Sequence, residues 1–454
     1  MTENFLETEK LGKLFLKYTI PSIVGMIFVG VQGIIDGLFV GNIMGENALA
    51  SINLCQPVLQ IVMGIALVFS VGGQSIIGIN LGKKNIKEAQ DTFKTALLVL
   101  LVISVIASIF GVFFSDNIAK LLGASEILLE GTSTYIRYIS LFTIFIMLMF
   151  TFDSVVRTIG KPHISLVGLV IAVIINIILD YLFIAKFKMG IKGAALATGI
   201  SYSISMFIII IPFLNKNSNL NIYSGKFNKK VIIPMAYNGA SEGISSLSTA
   251  LSMFLFNTAL MKISGESGIA AFTIINYISQ VGYMVIFGIS DGVRPIISYS
   301  FGSDNHKRLK EVLKLSVIVN VIIGFGIFIV MSMFCKDLIG LFLKDGKNAI
   351  DIAVSGSRIY GIAFLFNGLN ILASGYFTAI DDAKSSIIIA ISRGLVFILI
   401  GIVILPVIFG INGVWGTVVF SEIVTLVICF YIIKKKYSIE SNLALQSSKE
   451  YLKS

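Results

Sequence analysis

Long apolar runs separated by short polar connectors make up most of the chain, up to about residue 433. Each run reaches about twenty residues or more, the length a helix needs to cross a hydrocarbon layer about 30 Å thick. Several runs are longer, so we expect some helices to tilt or protrude. The pattern predicts an all-α polytopic membrane protein with twelve spans at 18–40, 48–80, 94–114, 132–156, 163–185, 191–213, 231–261, 268–300, 312–334, 352–380, 385–408 and 412–433.

Similar short sequences recur about 220 residues apart, which indicates two related halves. For example, Gly-Ile-Lys-Gly-Ala-Ala at 190–195 corresponds to Gly-Ile-Asn-Gly-Val-Trp at 410–415. Six spans in each half make the repeats parallel, as in secondary transporters whose binding sites lie between the halves. A duplicated structural membrane protein is the alternative. We predict an N-lobe at 1–214, a cytoplasmic linker at 215–230, a C-lobe at 231–436 and a cytoplasmic tail at 437–454.

Lysine and arginine are divided unevenly between the two alternating sets of connectors. The set that includes Lys83, Lys307 and the two chain ends carries 21 of them, counted up to Lys436, whereas the set that includes Lys120 and Lys186 carries 8. Cytoplasmic loops of membrane proteins carry the excess of Lys and Arg. The sequence therefore predicts a multi-pass protein of the cell membrane with both termini in the cytoplasm.

The composition excludes most other classes of protein. Hydrophobic residues make up 56% of the 454 residues and charged residues 13%, with a mean hydropathy of +0.92, whereas soluble domains are about a quarter charged. The net charge of +10 resides in connectors, so we expect no nucleic-acid partner. The cysteines Cys55, Cys335 and Cys429 are isolated, which favours neither disulfides nor a zinc site. We expect neither an enzyme nor a cofactor.

Polar residues inside the apolar runs are the candidates for function, because a carboxylate in the bilayer is costly unless it is paired, hydrated or protonated. Asp36 lies deep in the first span, one turn beyond Gln32. Asn176 and Asp180 share one face of the fifth span, and Thr198 adds a hydroxyl on the sixth. Two carboxylates, an amide and a hydroxyl suit Na⁺, or a proton shared between the acids. Alternatively, Asn176 and Asp180 only form hydrogen bonds between helices.

The other acids within predicted spans are of two kinds. Glu242 lies among small residues of the seventh span, where it could meet a cationic substrate, take part in coupling, or act only as a packing or hinge residue. The remaining acids each have a basic residue within reach, which favours ion pairing. These pairs are Asp153 with Arg157, Asp291 with Arg294, and Glu422 with Arg393.

Several of these sequences, taken in order, resemble the multidrug and toxic compound extrusion (MATE) transporters. The resemblance extends from Pro21 to about Lys434. It implies a V-shaped pair of six-helix lobes that exports lipophilic organic cations in exchange for Na⁺ or H⁺. The sequences that carry it are Asp-Gly-Leu-Phe-Val-Gly at 36–41, Ala-Leu-Ala at 48–50, Arg-Thr-Ile-Gly-Lys-Pro at 157–162, Asn-Ile-Ile-Leu-Asp at 176–180 and Gly-Ala-Ala-Leu-Ala-Thr at 193–198.

The resemblance also implies roles for individual residues. Pro21 matches a proline associated with bending of the first helix, and Glu242 matches an acid that binds cations in one branch of the family. That branch has a further acid on its tenth helix, whereas residues 367–370 here read Asn-Gly-Leu-Asn. We therefore expect the cation site in the N-lobe, and Glu242, Gln32 and Asn367 at a substrate or second coupling site. The family's N-lobe cation site, which would hold Na⁺ in a sodium-coupled protein, is matched by Asp36, Asn176, Asp180 and Thr198.

A lipid-linked oligosaccharide flippase of the same superfamily is the alternative function. Such proteins have cavities rich in Arg and Lys, whereas this chain has six Arg and carries acids in its spans. A membrane enzyme is disfavoured because no nucleophile–base or metal constellation is evident. We expect lipophilic cationic small molecules, Na⁺ or H⁺ and membrane lipid as partners, and a monomer. The sequence leaves the choice of coupling ion and the physiological substrate open.

Overall fold

The computed structural model describes residues 3–342 and 347–451, which are almost entirely helical and contain no strand. The predicted tail begins within the last helix, and residues 452–454 lie outside the described part, as do residues 1 and 2 and Lys344. The helices are α1 (Glu3–Thr8), α2 (Leu11–Met44), α3 (Glu46–Gly82), α4 (Ile86–Phe113), α5 (Ser115–Leu121), α6 (Glu126–Ser140), α7 (Thr143–Thr158), α8 (Pro162–Asp180), α9 (Gly190–Ile209), α10 (Ile232–Gly302), α11 (His306–Met333), α12 (Cys335–Phe342), α13 (Lys347–Ile362), α14 (Phe364–Ala379), α15 (Ala383–Ile391), α16 (Phe397–Phe409) and α17 (Ile411–Tyr451).

The number of spans follows from these helices. Across the described residues, nine helical segments are long and apolar enough to cross a membrane, and two bent pairs raise the number to eleven. Helices α6 and α7 meet at 53° and α13 and α14 at 46°, and each bent pair corresponds to one span predicted from the sequence, 132–156 and 352–380. Helix α10 contains two spans. The all-α architecture with twelve spans is therefore confirmed.

Helix α10 is a hairpin that reverses at Gly265. This glycine has φ 62° and ψ −147°, a backbone conformation that is essentially restricted to glycine. Glu242 and Arg294, one on each side of it, would be about 78 Å apart in a straight helix. Their side chains instead form an ion pair with an N–O distance of 2.6 Å. The two arms, 232–264 and 266–302, therefore lie side by side, as the separate seventh and eighth spans predict.

The backbone repeats the 220-residue spacing that the sequence shows. Gly45, between α2 and α3, has positive φ like Gly265, and Gly190 has positive φ like Gly410. The caps agree as well, because Asn85 and Asn305 each accept a hydrogen bond from the third residue of the following helix. The two lobes are therefore built on one plan of turns.

The lobes share one apolar core and each has another of its own. The shared core joins Leu14, Tyr18 and Ile77 of the N-lobe to Ile289 and Val293 of the C-lobe. These residues lie in the half of the bundle that carries the linker 215–230, which we call the linker end. The other large cores, around Tyr135 and around Trp415, are each confined to one lobe. The lobes are thus held together mainly at the linker end.

Glycines permit the closest approach between the lobes. A Cβ atom added to Gly72 of α3 would overlap the main chain of α10 at Met235, and one added to Gly288 would lie 2.6 Å from the Cα atom of Ile23. Small residues at helix crossings let backbones pack directly against each other. Farther from the linker end, Gly33 has no atom within 4 Å of the added Cβ. The face of α2 beyond the crossing is therefore open.

The crossing generates a test of this packing. Gly72→Ala should destabilise the protein by about 1–3 kcal/mol, because the added methyl group forces two backbones apart. Gly33→Ala is the matched control, since it adds the same atom to open space on a neighbouring helix. Thermal unfolding of the purified proteins in detergent measures the difference. Equal melting temperatures for the two variants would contradict the close crossing.

Candidate cation site in the N-lobe

Asp36 lies in the half of α2 that is farther from the linker end. It is half-buried, and its Oδ1 atom is buried without a hydrogen-bond partner. Gln32, one turn earlier and buried, is close enough to interact with the Asp36 carboxyl group. Gly33 and Gly37, on either side of Asp36, each face open space. This stretch of α2 therefore presents a carboxylate beside an accessible surface.

Asp180 brings a second carboxyl group to the same place. It is the last residue of α8, only 1% exposed, and it lies within interacting distance of Asp36. The next residues, Tyr181–Lys186, form a π-helical segment, a widened turn that is frequent at functional sites. The structure thus places the acids of the first and fifth spans within interacting distance of each other.

Asn176 is the most informative member of the group. It is fully buried one turn before Asp180, and neither its Oδ1 nor its Nδ2 atom has a hydrogen-bond partner. Most buried polar side chains are hydrogen-bonded, because an unsatisfied one costs free energy. The alternative, in which the Asn176 side chain only forms hydrogen bonds to a neighbouring helix, is not supported because this side chain forms no such hydrogen bond. An unpartnered amide one helical turn from the Asp180 carboxyl group suits a ligand-binding position.

Two tyrosines complete the surroundings, and neither is predicted from the sequence. Tyr135 of α6 is buried, lies near both carboxyl groups and interacts with Thr198. Tyr202, one turn after Thr198 on α9, lies near Asp36. The four-residue spacing from Thr198 could have pointed to Tyr202. Tyr135 has no comparable signal, because nothing in its own span marks it.

The donor set determines what the site can do. Asp36, Asp180 and Asn176 each offer at least one buried oxygen without a partner. Oxygen ligands of this kind suit a hard cation, and two neighbouring carboxyl groups can also share a proton. Within the described ranges, no group of three or more His, Cys, Asp or Glu side chains could hold a metal ion. Neutral oxygens would therefore have to complete any Na⁺ site here.

The other predicted residues lie elsewhere. Glu242 pairs with Arg294 at 2.6 Å, away from the N-lobe acids. Asn367 of α14 is fully buried in the C-lobe, near Tyr283, and both of its amide atoms lack partners. Pro21 lies inside α2, where it removes a backbone N–H. The structure thus gathers the four residues predicted for the cation site, with Gln32, and leaves Glu242 and Asn367 apart from them.

The shared site generates a thermodynamic test. Asp36→Asn and Asp180→Asn should each abolish the rise in melting temperature that a bound cation produces. The double variant should cost no more than either single one, because both residues serve one site. Melting curves against Na⁺ concentration and against pH measure the effect. Asp116→Asn is the control, since Asp116 is an exposed acid paired with Arg137 at 3.3 Å. Additive losses would indicate two independent sites.

Comparisons with known proteins agree with this architecture. The MatE family model matches residues 21–182 and 243–406, one segment in each lobe. A crystal structure of a MATE protein in the straight conformation superimposes with a TM-score of 0.90 at 22% identity, covering 96% of this chain and 98% of that one. An outward-facing multidrug resistance MATE family transporter gives 0.89 at 23% identity, with 96% and 98% covered. These likenesses show the fold.

Curated relatives match over nearly their whole length. The multidrug export protein MepA of Staphylococcus saprophyticus is 28% identical over 429 residues, which cover 94% of this chain and 93% of that protein. The protein of the same name from Staphylococcus aureus strain MRSA252 is 28% identical over 449 residues, covering 96% and 97%. With the family model matching both lobes, the chain belongs to the MatE family of membrane transporters and is not an enzyme.

Proposed function

We propose that this protein is a secondary active multidrug efflux antiporter, which exports lipophilic organic cations in exchange for Na⁺ or H⁺. The observation that carries the proposal is the N-lobe cluster of Asp36, Asp180 and Asn176, whose buried oxygens lack partners. A carboxylate pair inside a membrane is retained when it serves an ion or proton pathway. The names of the MepA relatives supply the direction and the cargo class, because those proteins are described as multidrug exporters.

The geometry supports a defined role for the coupling ion. Without a cation or a proton, Asp36 and Asp180 repel each other, and the repulsion is strong where water is scarce. A bound cation removes this repulsion and favours closer packing of α2 against α8. Because α2 also packs on the C-lobe through the contact between Ile23 and Gly288, a movement of α2 reaches both lobes. Ion binding is thereby linked to the relative tilt of the lobes.

The direction of access follows from the lobe contacts and the charge pattern. The shared core closes the linker end, whereas the face of α2 around Asp36 is open. The excess of Lys and Arg in the connectors on the linker side predicts that this end is cytoplasmic. The arrangement is therefore outward-facing in this proposal, with the cation site accessible from outside the cell.

The flippase alternative is not favoured. A pyrophosphate cargo needs clustered basic residues. Arg157, Arg294 and Arg393, which lie within the spans, are each already paired with a carboxylate. The carboxyl groups of Asp36 and Asp180, by contrast, have no basic partner among the ion pairs of the described residues.

Transport by reconstituted protein tests the proposal. Vesicles containing the protein should move ethidium when a Na⁺ gradient or a pH gradient is imposed, and the gradient that works identifies the coupling ion. Asp36→Asn should abolish this gradient-driven transport, because it removes a charge from the ion site, while the protein remains folded. Asp116→Asn should transport as the native protein does. Unaltered transport by Asp36→Asn would overturn the assignment of the coupling site.

A further inference from the structure

Five charged side chains form a continuous chain of contacts across the boundary between the lobes. In the N-lobe, Arg157 contacts Asp153 with an N–O distance of 2.6 Å. In the C-lobe, Arg294 contacts Glu242 at 2.6 Å and Asp291 at 3.1 Å. One contact joins the two groups, between Nη1 of Arg157 and Oδ2 of Asp291 at 3.7 Å. We call these five residues the ionic chain.

The chain can separate at one contact and leave every guanidinium paired. Arg157 keeps Asp153, which also accepts a hydrogen bond from Ser165, and Arg294 keeps two carboxylates of its own lobe. The Arg157–Asp291 contact is also the longest of the four. A purely structural pairing would not need it, because each arginine already contacts a carboxylate of its own lobe. Its distinguishing property is that it connects the lobes.

The charges do not divide evenly when the lobes separate. The intact chain holds three carboxylates and two guanidiniums, all largely buried. After separation the N-lobe keeps the neutral pair of Asp153 and Arg157. The C-lobe keeps Glu242 and Asp291 against Arg294 alone, so the single net negative charge, which the intact chain shares between two guanidiniums, is confined to the C-lobe, and Asp291 loses one of its two guanidinium contacts. Arg393, the next basic residue, does not change this count because it is paired with Glu422 at 2.8 Å.

We propose that the Arg157–Asp291 contact holds the two lobes together at the linker end. When the lobes separate there, a cationic cargo replaces the Arg157 guanidinium beside Asp291 and Glu242. Taking a guanidinium away from a buried pair of carboxylates is strongly disfavoured, so separation without a cation is suppressed. The proposal rests on the proposed export of organic cations and adds a binding site for them.

Distances between spin labels at the linker end test the proposal without any transport. Lys84 and Asp304 are exposed residues in corresponding turns after α3 and α10, one in each lobe, and the three native cysteines are buried. Both positions are changed to cysteine and labelled in otherwise native protein and in each variant. Electron paramagnetic resonance then gives the fractions with short and long distances, with and without tetraphenylphosphonium as the lipophilic cation.

Two substitutions separate the effect of the Arg157–Asp291 contact from the effect of the net negative charge on the C-lobe. Asp291→Asn removes both the contact and the net negative charge, so the long-distance fraction should rise at least about tenfold without any cation. Glu242→Gln keeps the Arg157–Asp291 contact and removes only the net negative charge of the separated C-lobe, so it should raise the long-distance fraction less than Asp291→Asn does. Tetraphenylphosphonium should lengthen the distance in the native protein and have little further effect in either variant. Asp291→Glu, which restores the charge, should return the native distribution.

The outcomes discriminate clearly. A native distance distribution in folded Asp291→Asn, or an undiminished response of Glu242→Gln to tetraphenylphosphonium, would overturn the proposal. If Asp291→Asn does not fold, the Glu242→Gln response decides. If the label distances are as expected but the vesicles do not move ethidium, the proposed transport function is overturned and the role of the Arg157–Asp291 contact stands. If the vesicles move ethidium but the expected distances are not found, the role of this contact is overturned and the transport function stands.

Discussion

The constraint on which this structure depends is that charge inside a membrane must be neutralised, paired or hydrated. The protein meets it in two different ways. In the ionic chain, each acid lies against a guanidinium, and the contacts cross from one lobe to the other. In the N-lobe, Asp36 and Asp180 interact with each other and, among the residues that the structure describes, form no ion pair with a basic side chain. The first arrangement holds parts of the protein together, whereas the second keeps a place for a mobile positive charge.

Much of the fold could be predicted from the sequence, because the length and hydrophobicity of the apolar runs determine the spans. The predicted pairs Asp153–Arg157, Asp291–Arg294 and Glu422–Arg393 are confirmed as contacts. The first two could be predicted because helix spacing places their side chains on one face. The contact between Arg157 and Asp291 could not be predicted, because it depends on how two lobes approach across 134 residues of sequence. The bends within the fourth and tenth spans were missed for a related reason, since tertiary packing imposes them.

The candidate site could likewise be predicted only in part from the sequence. Asp36, Asn176, Asp180 and Thr198 stand out because each is polar within an apolar run. Tyr135 does not stand out, since an aromatic residue in a membrane span is ordinary, and only the structure brings it to Thr198 and the acids. Glu242 looked free in the sequence because its partner, Arg294, lies 52 residues away on the other arm of α10. The cation-binding role of the four residues stays a prediction.

The reversal at Gly265 has a mechanical consequence. Because one residue joins the two arms of α10, there is no slack between them, and neither arm can slide along its axis without the other. Gly45 joins α2 to α3 in the corresponding way. Piston-like shifts of single helices within these hairpins are therefore excluded, and a change of access has to come from tilting whole hairpins or from bending within a helix. In α2 the proline at position 21 offers a point for such a bend, between the shared core and the acid at position 36.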